Sequence, residues 1–150
     1  MSCQSATSPI DILQSNTEKC DLKCSVEFNY KTTSIRAENK GDYIRLSFDP
    51  DMSQPVIYNT QKYNVQEARV YQPSLHTYGG MHTVSEILLV HQNQSSNETL
   101  IVCIPITETE NSPGVLDNIL NQISQKANTK GGVTNISNNT FSLKQLIPQQ

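Results

Sequence analysis

Apolar and polar residues alternate most regularly between Tyr43 and Phe48, where Ile44, Leu46 and Phe48 point one way and Tyr43, Arg45 and Ser47 the other. Successive side chains of an extended backbone leave on opposite faces, so this segment reads as a half-buried strand. The turn signal Asn39-Lys40-Gly41-Asp42 precedes it and Asp49-Pro50-Asp51 ends it. Residues 26–30, 32–37, 56–58 and 68–71 are shorter β-prone stretches. Residues 85–91, with Ile87, Leu89 and Val90 inside, form a stronger one. Residues 100–106 are almost continuously apolar, which predicts a strand buried on both faces. One helix follows. Ser112-Pro113 is a start signal, Val115, Ile119 and Ile123 recur at helical spacing beside Leu116 and Leu120, Lys126 and Lys130 lie toward the end, and Gly131-Gly132 stops it. Residues 135–140 read as loop and 141–148 as a short apolar tail. Residues 1–9 read as an extended or disordered arm, which leaves 10–150 as one domain. The class is mainly β with one or two surface helices.

Composition narrows the picture. The 150 residues are 35% hydrophobic and 17% charged, with no Trp. That is lean for a core that must offset ~1–2 kcal/mol of backbone entropy per residue, and a chain of this size buries roughly 70% of its unfolded surface. The net charge is −3 and the basic residues are scattered singly, which argues against nucleic acid as a ligand. The first nine residues are polar and no long apolar run exists, so neither a secretory signal nor a transmembrane helix is expected. The sequons at Asn93, Asn97, Asn135 and Asn138 are accordingly expected to be unmodified. Cys3, Cys20, Cys24 and Cys103 lack a following Cys/His pair at zinc-ligand spacing. They read best as free thiols, with disulfide pairing left open.

Several segments together resemble one family, the α-carbonic anhydrases, in that family's order. Ser8-Pro9-Ile10-Asp11-Ile12 resembles its N-terminal Ser-Pro-Ile-Asp-Ile, and Asn39-Lys40-Gly41-Asp42 its Asn-Asn-Gly-His turn. Leu75-His76-Thr77-Tyr78-Gly79-Gly80 resembles the His-x-His-Trp-Gly strand, and Met81-His82-Thr83-Val84 the Glu-His-Thr-Val segment. Ser85-Glu86-Ile87-Leu88-Leu89-Val90-His91 resembles Ala-Glu-Leu-His-Leu-Val-His. Residues 111–131 resemble the Asn-Pro-Gly helix segment, and 141–148 the Phe-x-x-x-x-Leu-Leu-Pro segment. The resemblance implies a truncated form of the family fold, built on a mostly antiparallel central sheet.

It also implies a chemistry that these residues do not supply. The family hydrates CO2 with a zinc-bound hydroxide, which needs three neutral imidazoles on the metal. Here His76 can stand at the first ligand position, but Tyr78 stands at the second and Leu88 at the third. A phenol with a pKa of about 10 is a poor ligand, and leucine has no lone pair. The other register puts Leu75 and Thr77 at the first two positions. Asp42 occupies the family's proton-shuttle position. Glu86 matches a residue that supports a ligand from behind, and His91 reads as a structural histidine. The family's segment bearing the Thr that orients the zinc hydroxide has no counterpart in these residues. A compensating site from His76, His82 and Glu86 is an arrangement that would restore a metal.

The expectation is therefore a non-catalytic protein without cofactor or metal, acting as a structural or interaction subunit with other protein chains as partners, and without membrane insertion. Around Leu75-His76-x-Tyr78-x-Gly80 and Glu86-Ile87-x-Leu89-Val90-His91 the chain is similar to the zinc-less carbonic-anhydrase-like cell-surface-binding proteins of poxvirus envelopes. That suggests a virion or capsid component of a large DNA virus. Adhesion to a host glycan or receptor is the alternative, and a zinc carbonate dehydratase the remote one.

Overall fold

The computed structural model describes residues 8–16, 25–110, 114–136 and 141–148. In chain order the elements are β1 (Asp11–Ile12), a 3-10 turn at Gln14–Asn16, β2 (Val26–Phe28), β3 (Ile35–Asn39), β4 (Ile44–Phe48), β5 (Val56–Tyr58), β6 (Gln61–Tyr71), β7 (Thr77–Tyr78), β8 (Met81–His82), β9 (Ser85–Gln92), β10 (Thr99–Ile106), α1 (Val115–Lys126), β11 (Val133–Ile136) and a 3-10 turn at Leu143–Leu146. The main sheet has eight strands. Its path runs β10-β9-β6-β4-β3-β11, with β5 joined to β6 and β2 to β5. All of these pairs are antiparallel. A second sheet, β1-β7-β8, contains a parallel pair, β1 with β7. The chain is thus mainly β and mostly antiparallel, as the sequence predicts.

Registry sorts the side chains onto two faces. Opposed residues share a face, so the pairings Ala37–Leu46, Leu46–Ala68, Ala68–Leu89 and Leu89–Val102 run across five strands as one apolar row. This face packs with Ile119 and Ile123 of α1 and with Phe141 and Leu143 in a single buried cluster. The stripe expected for the helix is the stripe it buries. Phe141 and Leu143 lie within the core, and Ser142 and Gln145 close the turn between them and Ile147 with a capping box.

The turn ahead of β4 follows from its residues. Gly41 adopts φ +93°, which a side chain rarely tolerates, and the Asn39 side chain accepts from the Gly41 N–H.

Three sequence expectations change. Residues 135–140 do not begin as loop, because Asn135 and Ile136 finish β11 and pair with Arg36 and Ile35; residues 137–140 lie outside the described part, as do Ser112 and Pro113. The strand predicted over 68–71 extends back to Gln61, because its first residues pair with β5 and its last with β4. On its other edge, the pairing with β9 carries a register shift between Val65 and Glu67. The third concerns β10, which is not buried on both faces. It is the end strand of the path, and Ile101 is 49% exposed. Leu100, Val102, Ile104 and Ile106 pack on the core, while Ile101, Cys103 and Pro105 point to the opposite, open face by the period-two rule.

Candidate functional site

The open face of β9 carries Glu86, Leu88 and Val90. Glu86 is 0% exposed, and a carboxylate survives such burial only with hydrogen bonds to its charge. It has four. Oε2 accepts from the backbone N–H groups of Leu75 and His76, at 2.9 and 3.1 Å. Oε1 accepts from the Tyr78 hydroxyl at 2.7 Å and lies 2.9 Å from His76 Nδ1. Burial pushes the Glu86 carboxyl upward, but the hydrogen bonds from Tyr78 and from the His76 backbone and ring outweigh it, so its pKa sits below the ordinary value. The phenol shifts the other way: burial and the adjoining carboxylate both raise the Tyr78 pKa.

β7 and the residue before it position the donors. Alternation along this extended stretch sends His76 and Tyr78 toward Glu86 and Thr77 away. Thr77 instead donates to Asp11 of β1 at 2.7 Å, and Asp11 also accepts from the Gly80 N–H. Gly79 and Gly80, both at positive φ, make the turn into β8. On the far side of His76, Nε2 lies 3.0 Å from the Ser8 hydroxyl. Ser8, read from the sequence as part of an arm, is the partner of a buried imidazole.

Cys103 completes the group. In registry it faces Leu88 across β9 and β10. One ligand atom from each of His76, Glu86 and Cys103 falls within 4.8 Å of the others. Burial, and after it the Glu86 charge, pushes the Cys103 thiol up to about 11. Nothing in the sequence near Cys103 announces this meeting; only the pairing of two apolar strands brings it about.

The other candidates fall elsewhere. His82 pairs with Thr77, on the side of β7 away from Glu86, is exposed, and bonds through Nδ1 to the Ser74 carbonyl at 2.6 Å. The compensating trio of His76, His82 and Glu86 is therefore not assembled; Cys103 takes the place expected for His82. Asp42 is exposed in the turn between β3 and β4. His91, 0% exposed, lies on the core side of β9, between the Leu100 carbonyl and the Tyr30 hydroxyl. Burial depresses its pKa and keeps it neutral. Its Nδ1–H then donates to Leu100 and its Nε2 accepts from Tyr30.

The zinc implied by the resemblance does not fit the residues at those positions. Tyr78 points its hydroxyl at Glu86, and Leu88 is 8% exposed, with a side chain that offers no donor atom. Further along the open face, Glu67 lies between Arg45 and Arg69. The Arg69 Nη2 is 2.6 Å away, and the Arg45 Nε approaches to 2.7 Å as charge proximity rather than an aligned hydrogen bond. The Arg69 guanidinium also sits 5.0 Å over the Tyr43 ring.

No protein-family model and no curated protein matches the sequence. Solved structures do match the fold. Dioscorin, in a structure with ascorbate, superposes with a TM-score of 0.76 at 22% identity over 93% of this chain and 56% of its own. A hyperthermostable carbonic anhydrase from an active hydrothermal vent chimney gives 0.73 at 19% identity, over 95% of this chain and 59% of its own. The α-carbonic anhydrase of Photobacterium profundum gives 0.72 at 17%, over 95% and 61%. At such identities the likeness concerns the backbone, and it is consistent across these structures: the chain has the α-carbonic anhydrase fold, and it spans less than two thirds of the length of the proteins that share it.

Proposed function

We propose that this chain is a non-catalytic carbonic-anhydrase-like protein that works as a structural or interaction subunit. The observation that carries the reading is the occupation of the zinc-ligand positions: a phenol that donates to Glu86 at one, an isobutyl group at another. Hydration of CO2 in this fold requires a metal with an open position bearing hydroxide; leucine has no lone pair to hold that metal, and the Tyr78 phenol keeps its proton in the hydrogen bond to Glu86. Engagement with other protein chains is supported by β10. Among the described residues it is an end strand, eight residues long and without a charge, its sequence being Thr-Leu-Ile-Val-Cys-Ile-Pro-Ile, with Ile101 half-exposed. Edges of this kind are ordinarily guarded by lysines, proline or short length because they pair with other chains, and here Pro105 is the single such guard. The likeness to poxvirus carbonic-anhydrase-like proteins extends the reading to a virion component. Adhesion to a sulfated glycan is the weaker alternative, since Arg45 and Arg69 on the open face are engaged by Glu67.

The deciding experiment assays CO2 hydration on zinc-saturated, untagged protein and measures its mass in solution by sedimentation. The reading expects no hydration above buffer and a species larger than one chain, alone or with a co-purifying partner. Hydration, or a strictly monomeric protein that captures nothing, would remove the corresponding half of it.

A further inference from the structure

We propose that His76, Glu86 and Cys103 form a three-ligand site for one borderline-soft divalent cation of the zinc type, with water at its fourth position. This ligand set shares only His76 with the one the fold's enzymes imply. It comes from three separate segments: the residue before β7, the start of β9 and the middle of β10.

Geometry is the first argument. A tetrahedral zinc with bonds of ~2.0–2.3 Å holds its ligand atoms roughly 3.3–3.8 Å apart. The three donors already lie within 4.8 Å of one another, so a side-chain shift of about 1 Å closes the set. In the present arrangement the proton on His76 Nδ1 bridges the 2.9 Å to Glu86 Oε1, which is where a cation would replace it. The chemistry of the donors is the second argument. Imidazole, carboxylate and thiolate together suit zinc better than calcium or magnesium. Glu86 as carboxylate and Cys103 as thiolate balance a double positive charge, so the loaded site is neutral, as its burial demands. One proton leaves per cation, from the Cys103 thiol, while the His76 proton moves from Nδ1 to Nε2.

Ser8 is the third argument. Its hydroxyl lies 3.0 Å from Nε2 and can donate to that nitrogen in the metal-free tautomer or accept from it in the loaded one. Metal-bound imidazoles usually have such a partner on the other nitrogen. Glu86 is likewise oriented by Tyr78 and two backbone N–H groups that coordination through Oε1 leaves in place. Cys103, on the end strand and only partly buried, gives the cation its approach.

The test is equilibrium loading of the full, untagged chain with zinc alone, then with cobalt(II). About one zinc per chain is expected, together with a thiolate-to-cobalt charge-transfer band in the near ultraviolet. Cys103→Ser abolishes the band, and it and His76→Ala weaken zinc binding roughly a hundredfold, whereas Ser8→Ala weakens it about tenfold. Cys103→Ser changes little in shape, so its metal-free melting temperature should match the parent and exclude misfolding as the cause. Failure to retain zinc, or retention unchanged by Cys103→Ser, overturns the site. The outcome is separable from the reading above: hydration by zinc-loaded protein would sink the non-catalytic proposal and leave this site standing, while absence of zinc would do the reverse.

Discussion

The two faces of β9 solve opposite problems. Ile87 and Leu89 face α1 and the core, where burial is favourable in itself and any apolar side chain of the right volume serves. Glu86 and Leu88 face the other way. There a charged group is as deeply buried as the leucines, and it is tolerated because the four residues Leu75 to Tyr78, of which the last two are β7, deliver a ring, a phenol and two backbone amides to it. One face is held by many interchangeable contacts, the other by four hydrogen bonds that depend on one carboxylate. A tolerant packing and an intolerant network thus share one backbone segment, and the comparison can be pressed from both sides.

The hardest blow should be Glu86→Ala. It leaves two amides, an imidazole and a phenol without their acceptor, and a loss of roughly 4 kcal/mol in denaturant unfolding is expected. Ile87→Ala, one residue along but on the packed face, should cost about 3 kcal/mol through lost burial and a cavity. If Glu86→Ala proved milder than Ile87→Ala, the network would be dispensable and the contrast would collapse. Tyr78→Phe removes one donor of four and keeps the ring, so about 1 kcal/mol is expected.

Acid should act on the faces in sequence. The folded pKa of His91 lies below its ordinary 6.5, so the unfolded chain binds the extra proton first; stability is full above pH 6.5 and declines as pH falls below it. The folded pKa of Glu86 lies below its ordinary 4.5, so its contribution is present above 4.5 and is lost as pH drops through the lower folded value. Melting temperature against pH should show both limbs, and His91→Gln should erase only the upper one. Smallest of all, Ile101→Lys at the exposed edge should change stability by less than about 0.5 kcal/mol. It should nevertheless reduce the sedimenting mass if β10 is where chains meet.

The contrast also explains what could be read from the sequence. Local rules suffice for β4, whose Ile44, Leu46 and Phe48 all pack on the core as the alternation predicts, and for α1, whose Ile119 and Ile123 sit where the stripe puts them. The tyrosine and leucine at positions 78 and 88 were equally legible, because the chemistry they forbid follows from their side chains alone. What was hidden is long-range. The apolar run of β10 has the composition of a central strand, and whether it gains a second neighbour is not written in its own residues. The polar start of β6, Gln61 and Lys62, carries no β pattern of its own and is extended because β5 pairs with it. Cys103 meets Glu86, 17 residues back, through the registry of two strands, and His76, 27 residues back, through the turn before β7. A motif search tuned to spacing has no handle on that.

The short parallel pair between β1 and β7 has a consequence in time. Asp11 aligns with Thr77, 66 residues later, and their hydrogen bond closes nearly half the chain into a loop. Hairpins such as β3–β4 and β9–β10 close small loops and can form early, whereas this contact bears the larger closure entropy with two rungs to reward it. A refolding chain should therefore possess its sheet and core first and dock β1 against β7 last. The Ser8–His76 contact would arrive with that final step, so the molecule acquires its architecture before it acquires its finished site.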